Sequence, residues 1–107
     1  MKGNRHLVVP YSLTYNDGRY VLPQGYASPT DFFDHCKRAL DELRREGAAG
    51  YPKMMSIGLH PRWAGQAART SGLREFIEHA LAKGDVWFAR RIDIARWWLE
   101  HHEEFER

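Results

Sequence analysis

A single cysteine, Cys36, stands among the 107 residues, so no disulfide can form within one copy of the chain. No apolar run approaches the ~20 residues that a membrane helix needs, and none has the layout of a secretory leader. Neither sign of charge dominates. Sixteen basic residues stand against fourteen acidic ones, a formal net charge of +2, and the two kinds are interspersed. That leaves no basic stripe of the sort that nucleic-acid phosphates require. These absences speak against a disulfide scaffold, a membrane partner and a nucleic-acid partner, and they fit a reducing, cytoplasmic setting. What remains is ordinary globular material: 43% hydrophobic residues, 28% charged ones, and four tryptophans, five tyrosines and five phenylalanines. Rings in that number need burial, which argues for one hydrophobic core rather than for disorder.

The N-terminal residues Met1–His6 run almost at once into Leu7-Val8-Val9-Pro10, a short β-branched run expected to form a buried strand that stops at the proline. The chain therefore reads as one that starts late in its fold. Residues 11–27 contain the turn signal Asn16-Asp17-Gly18 and read as a long loop or a small hairpin. Ser28-Pro29-Thr30-Asp31 combines a capping hydroxyl, a proline at the first helical position and an acid three residues after the cap, so a helix begins there. Phe32, Phe33, Cys36, Ala39, Leu40 and Leu43 carry its apolar face as far as Gly47. A second apolar run, Met54–Leu59, predicts a strand ending at His60-Pro61. A second helix follows, capped by Thr70 or Ser71, with Leu73, Phe76, Ile77, Ala80 and Leu81 at helical spacing before Gly84. Val86-Trp87-Phe88-Ala89 predicts a third strand. Asp93 is expected to cap a third helix, with Ile92 and Trp97 stapling its start and Trp98, His101 or His102, and Phe105 continuing a buried stripe.

The order β, α, β, α, β, α predicts an α/β fold of three parallel βα units, because helices must cross over to join and cover such strands. Three strands cannot close a barrel, so an open sheet edge is expected, and with it a homo-oligomer formed through that edge.

In parallel βα architectures the reacting groups gather at the carboxyl ends of the strands. Three sets fall there: Asn16-Asp17, His60-Pro61-Arg62, and Arg90-Arg91 with Asp93. A histidine at a strand end suits proton transfer, since its ordinary pKa of about 6.5 lies near working pH. Its plain alternative is a hydrogen bond to a neighbouring loop. Arg62 has the forked donors to hold a carbonyl or carboxylate oxygen, and Trp63, just after the histidine, suits a pocket wall. Asn16 and Asp17 are equally explained by the turn they would form, and Arg90 and Arg91 by a surface pair with Asp93 or Glu100. Trp87 and Trp97 read as core. Cys36 lies on an apolar helix face, where a thiolate is disfavoured. No two of the six histidines are spaced as a ligand pair one helical turn apart. Asp31 and His35 are so spaced, and a surface ion pair explains them more simply than a metal. No metal site or other cofactor site closes within the sequence.

The stretch Lys53–Arg62 with Arg90–Trp98, preceded by Val9-Pro10-Tyr11-Ser12-Leu13 and Asn16-Asp17, resembles the C-terminal part of allantoinase-type members of the polysaccharide deacetylase superfamily. The likeness spans nearly the whole chain. It implies a C-terminal fragment, residues 1–107, of a catalytic domain built as a distorted barrel of seven β/α units, of which three are here. It also implies that His60 takes the place of the histidine that ends a Leu-x-Leu-His strand and acts as general acid, with Gly58 between Ile57 and Leu59. The implied reaction is hydrolysis of a non-peptide C–N bond in a small cyclic amide or ureide, or in an acetylated sugar. Asn16, Asp17, Arg62, Trp63 and Arg91 would line the substrate pocket. The family's Asp-Asp and His-x-x-x-His motifs, which supply a base and metal ligands, have no counterpart in this sequence, so the fragment is expected to be inactive alone. Metal use by the intact parent stays open. A non-catalytic oligomerising α/β module is the alternative.

Overall fold

The computed structural model describes residues 6–10, 12 and 14–105. Three α-helices follow one another, α1 (Pro29–Ala48), α2 (Ala67–Lys83) and α3 (Arg91–His101), with 3-10 turns at Asp17–Tyr20 and His102–Phe105. By its internal contacts the chain divides into two compact units, Tyr11–Val86 and a second made of Met1–Pro10 with Trp87–Arg107.

Helix α1 begins where its local chemistry says it must. The Ser28 hydroxyl accepts from the Asp31 N–H at 3.3 Å, while the Asp31 carboxylate accepts from the N–H groups of Ala27 and Ser28 at 2.9 and 3.2 Å. The reciprocal bonds satisfy donors that a helix start leaves open. Asp31 is thereby committed to the cap and does not pair with His35, whose Nε2 instead lies 3.0 Å from the Thr14 carbonyl. Phe32, Cys36 and Leu40 fall on one face and are buried together with Tyr26, Phe76 and Ala80. Tyr20 stacks on Phe32 at 6.0 Å and Tyr26 meets it edge-on at 5.6 Å. Burial pushes the Cys36 thiol up to about 11, so the sulfur behaves as a small hydrophobe.

Helix α2 packs across α1 and starts four residues before the expected cap. Thr70 and Ser71 lie inside it, and their hydroxyls donate backwards to the carbonyls of Ala64, Gln66 and Ala68. Gly84, at φ +79°, ends it in the left-handed conformation that favours glycine. The helices touch closely at Gly72, where a Cβ would stand 2.6 Å from the Pro29 carbonyl oxygen. A polar seam runs beside this core. His79 Nε2 lies 2.9 Å from Asp41 Oδ1, and Arg44 grips Asp85 through two bonds of 2.7 and 3.0 Å.

The three expected strands do not form. Among the described residues the one strand-type contact is an isolated parallel bridge between Asn16 and Gly58. It is made by Gly58 N–H to the Tyr15 carbonyl at 2.8 Å and Asp17 N–H to the Gly58 carbonyl at 3.0 Å. The bridge is parallel, as the element order requires, but Leu7–Pro10, Met54–Leu59 and Val86–Ala89 form no ladder. A strand exists only where a neighbour pairs with it, whatever its side chains prefer. Met55 and Ile57 still pack on the helical core, as does Val86.

In the second unit, α3 starts at Arg91, with Arg90 as N-cap. Asp93 is therefore the third helical residue and not the cap, and its carboxylate accepts from the N–H of Arg90 at 3.3 Å and from its guanidinium at 3.0 Å. That shift removes the Ile92–Trp97 staple from its register. No described residue of this unit is buried, so the expected buried stripe is absent and Trp87, expected in the core, is 60% exposed. Trp97 and Trp98 instead stack loosely with His101, His102 and Phe105.

Candidate active site

The Asn16–Gly58 bridge brings the turn after Tyr15 against the end of the Met54–Leu59 segment, and Asn16, Asp17, His60 and Trp63 meet there. Asn16 Oδ1 accepts from Gly18 N–H at 2.8 Å, which winds Asp17–Tyr20 into its 3-10 turn. Asn16 and Asp17 are both buried, Asp17 completely. The turn reading is borne out for this pair, and the same turn sets both side chains beside His60 and Gly58.

Asp17 is surrounded by donors. Its Oδ2 accepts from the backbone N–H of His60 at 2.6 Å and of Ala64 at 3.1 Å, while Oδ1 lies 2.8 Å from His60 Nδ1. A carboxylate can only accept, so Nδ1 carries the proton and Nε2 is the free position. The His60 side chain is 54% exposed while that of Asp17 has no exposure at all. The result is a fixed imidazole with one edge tied into the fold and the other presented outward. Asp17 was expected to line the pocket. Its burial and its three bonds let it orient His60 and pin the His60–Ala64 loop.

Trp63 covers one flank, its ring 4.6 Å from that of His60, and a Cβ on Gly18 would touch the indole at 3.4 Å. The Arg62 guanidinium lies over the indole, 5.7 Å from its centroid. Arg62, Trp63 and the free edge of His60 therefore form one outward-facing group. Arg91 lies in the other unit at the first turn of α3, and it is Arg90 that takes Asp93.

Two contributors were not chosen as site residues from sequence. Ala64 supplies a backbone donor to Asp17 and leaves no trace in its residue type. Gly58 does leave one: a Cβ there would stand 2.4 Å from Asn16 Nδ2, so the glycine before Leu59-His60 is what allows the two segments to touch. Among the described residues no group of three or more His, Cys, Asp and Glu is placed to hold a metal ion. Asp17 has both oxygens engaged and His60 has Nδ1 engaged, so this pair does not fit the role of a metal cage. No helix of the described residues is long and apolar enough to cross a membrane.

No family model matches the sequence. Individual proteins do. A Schizosaccharomyces pombe protein described as "Putative polysaccharide deacetylase" is 43% identical over 96 residues, which is 90% of this chain and 30% of that protein. The crystal structure of Puue allantoinase superposes with a TM-score of 0.87 at 50% identity, covering 94% of this chain and 33% of that one. A crystal structure described as a probable polysaccharide deacetylase from Pseudomonas aeruginosa PAO1 gives 0.83 at 48% identity, covering 95% and 33%. The chain thus spans about a third of the length of the relatives it matches.

Proposed function

Because the chain belongs with the polysaccharide deacetylase and allantoinase proteins, a hydrolase family, we propose that it carries the proton-donating part of a site that hydrolyses a non-peptide C–N bond. The observation that carries this reading is the Asp17–His60 pair, with Nδ1 held at 2.8 Å and Nε2 turned outward. An amide or ureide nitrogen is a poor leaving group as an anion and must gain a proton as the C–N bond breaks. In the protonated state of His60, Nε2 delivers that proton while the buried carboxylate holds the ring in place and balances its charge. Water adds to the carbonyl carbon and gives up a proton to a base outside this pair, and the tetrahedral intermediate collapses to a carboxylate while the nitrogen takes the C–N electron pair and the Nε2 proton and leaves neutral. Arg62 offers its guanidinium to a substrate oxygen, and the Trp63 face suits a flat ring such as a cyclic ureide.

The Asp17–His60 pair accounts for the proton given to the leaving nitrogen and not for the one lost by the attacking water, and no step is assigned to a metal. The isolated chain is therefore expected to show no turnover on allantoin or on acetylated sugar oligomers, measured by product formation with purified protein. In a full-length relative, alanine at the histidine aligned with His60 should lower kcat by about 10²- to 10⁴-fold. Unchanged turnover in that variant removes His60 from the chemistry and with it this reading. Assaying the same relative on a cyclic ureide and on an acetylated sugar decides between the two substrate classes.

A further inference from the structure

We propose that Thr70 is a positioning residue for His60, acting through Ala64 and Asp17. A threonine inside a helix commonly donates its hydroxyl to the carbonyl four residues back, and Thr70 has that acceptor in Gln66 at 3.0 Å. It has a second acceptor at 3.0 Å, the carbonyl of Ala64, which lies six residues back and outside the helix. A hydroxyl holds one proton, so the two carbonyls compete for it. The Gln66 carbonyl already accepts from the Thr70 N–H at 2.8 Å, whereas the Ala64 carbonyl has no other donor among the described residues. Ala64 is buried, and a buried carbonyl left without a donor is costly. The proton therefore belongs to Ala64.

Ala64 is thereby held at both of its backbone groups. Thr70 fixes its C=O, while its N–H is shared between the His60 carbonyl at 3.0 Å and Asp17 Oδ2 at 3.1 Å. The other carboxylate oxygen of Asp17 lies 2.8 Å from His60 Nδ1, so the chain of bonds runs from Thr70 to the imidazole. Thr70 stands in the first turn of α2, a helix anchored in the core by Phe76 and Ala80. Its hydroxyl ties the loop after His60 to that rigid element, and reacting groups need such support to stay in place. Without the hydroxyl the Ala64 carbonyl turns toward water, its N–H leaves Asp17, and the carboxylate is free to rotate away from Nδ1. For its effect on turnover, though not for the chain of bonds, this inference rests on the proposed function.

The test pairs two substitutions in the full chain. Thr70→Val keeps the branched shape and removes the hydroxyl, whereas Thr70→Ser keeps the hydroxyl and removes the methyl. Helical circular dichroism should match the parent in both. In Thr70→Val the Ala64 amide should exchange at least about tenfold faster, and nitrogen NMR of the neutral His60 ring should show both tautomers in place of Nδ1–H alone. Thr70→Ser should keep the parent's pattern in both measurements. The same pair, made in a full-length relative with threonine at the aligned position, should give kcat about tenfold lower for valine with KM unchanged, and parent-like kcat for serine. A parent-like Ala64 amide and His60 ring in Thr70→Val overturn the proposal. A Thr70→Ser chain with mixed tautomers also overturns it, and that comparison needs no folded valine variant. An altered His60 ring in this chain with undiminished kcat in the relative leaves the chain of bonds standing and sinks the proposed function instead.

Discussion

His60 owes its orientation to a residue forty-three positions away. Asp17 satisfies three donors of the His60–Ala64 loop from a fully buried position, so the cost of burying its charge is offset by bonds that also set the histidine's tautomer. Asp17→Asn should expose that dependence. The amide keeps the two backbone N–H groups only by pointing its NH₂ at His60 Nδ1, which either sets donor against donor or drives the ring into the other tautomer. A destabilisation of about 1–3 kcal/mol by urea unfolding is expected. In two-dimensional nitrogen NMR the His60 ring should lose its uniform Nδ1–H tautomer; a spectrum identical to the parent's would show that the carboxylate does not orient the ring. Gly58→Ala tests the contact from the other side. Asn16 is buried and already bonded to Gly18, so it cannot retreat from a methyl group 2.4 Å from its Nδ2. A loss of about 1–3 kcal/mol is expected, and a neutral result would mean that the two segments are free to separate.

At the scale of elements, the helices divide by how local their signals are. Every instruction for α1 lies within four residues of Ser28, so its start was fully legible in sequence. The start of α2 was not, because Thr70 and Ser71 carry hydroxyls suited to a cap but spend them on carbonyls within and just before the helix. Gly72→Ala in α2 sets two effects against each other: alanine favours a helix by about 1 kcal/mol, but its methyl would meet the Pro29 carbonyl at 2.6 Å. The backbone contact wins, and the variant should unfold at lower urea than the parent. Across the same pair of helices, burial works to raise the Asp41 carboxyl, but the hydrogen bond and charge of His79, with Lys37 and Lys83 behind them, hold it below its ordinary value. A depressed carboxyl contributes stability above its ordinary pKa of about 4 and loses it as pH falls through the folded value. Asp41→Asn should therefore lower the urea midpoint at pH 6 and have little effect well below pH 4. A pH-independent difference between parent and variant would show that the seam acts by packing alone.

For the whole molecule, stability should be uneven. The Tyr11–Val86 unit holds every buried residue described, and the other unit holds none. Local opening follows the density of buried contacts, so amides of α3 should exchange well ahead of those between Phe32 and Leu43 in α1. Equal protection across the two would contradict that gradient. The chain accounts for about a third of the length of its relatives, and its unpaired segments are the apolar runs that the sequence marked as strands.

By itself the sequence determined what short-range chemistry decides: α1 and its cap, the buried Cys36, the stop at Gly84, the histidine after an apolar run, and the family resemblance. Tertiary structure decided what depends on partners distant along the chain. It withheld strand pairing from three segments with strand-like side chains, because backbone groups pair only with a neighbour that is present. It also set the carboxylate of Asp17 against His60 from a buried position, because which donors reach a carboxylate is decided by segments that the fold brings together from far apart in the chain.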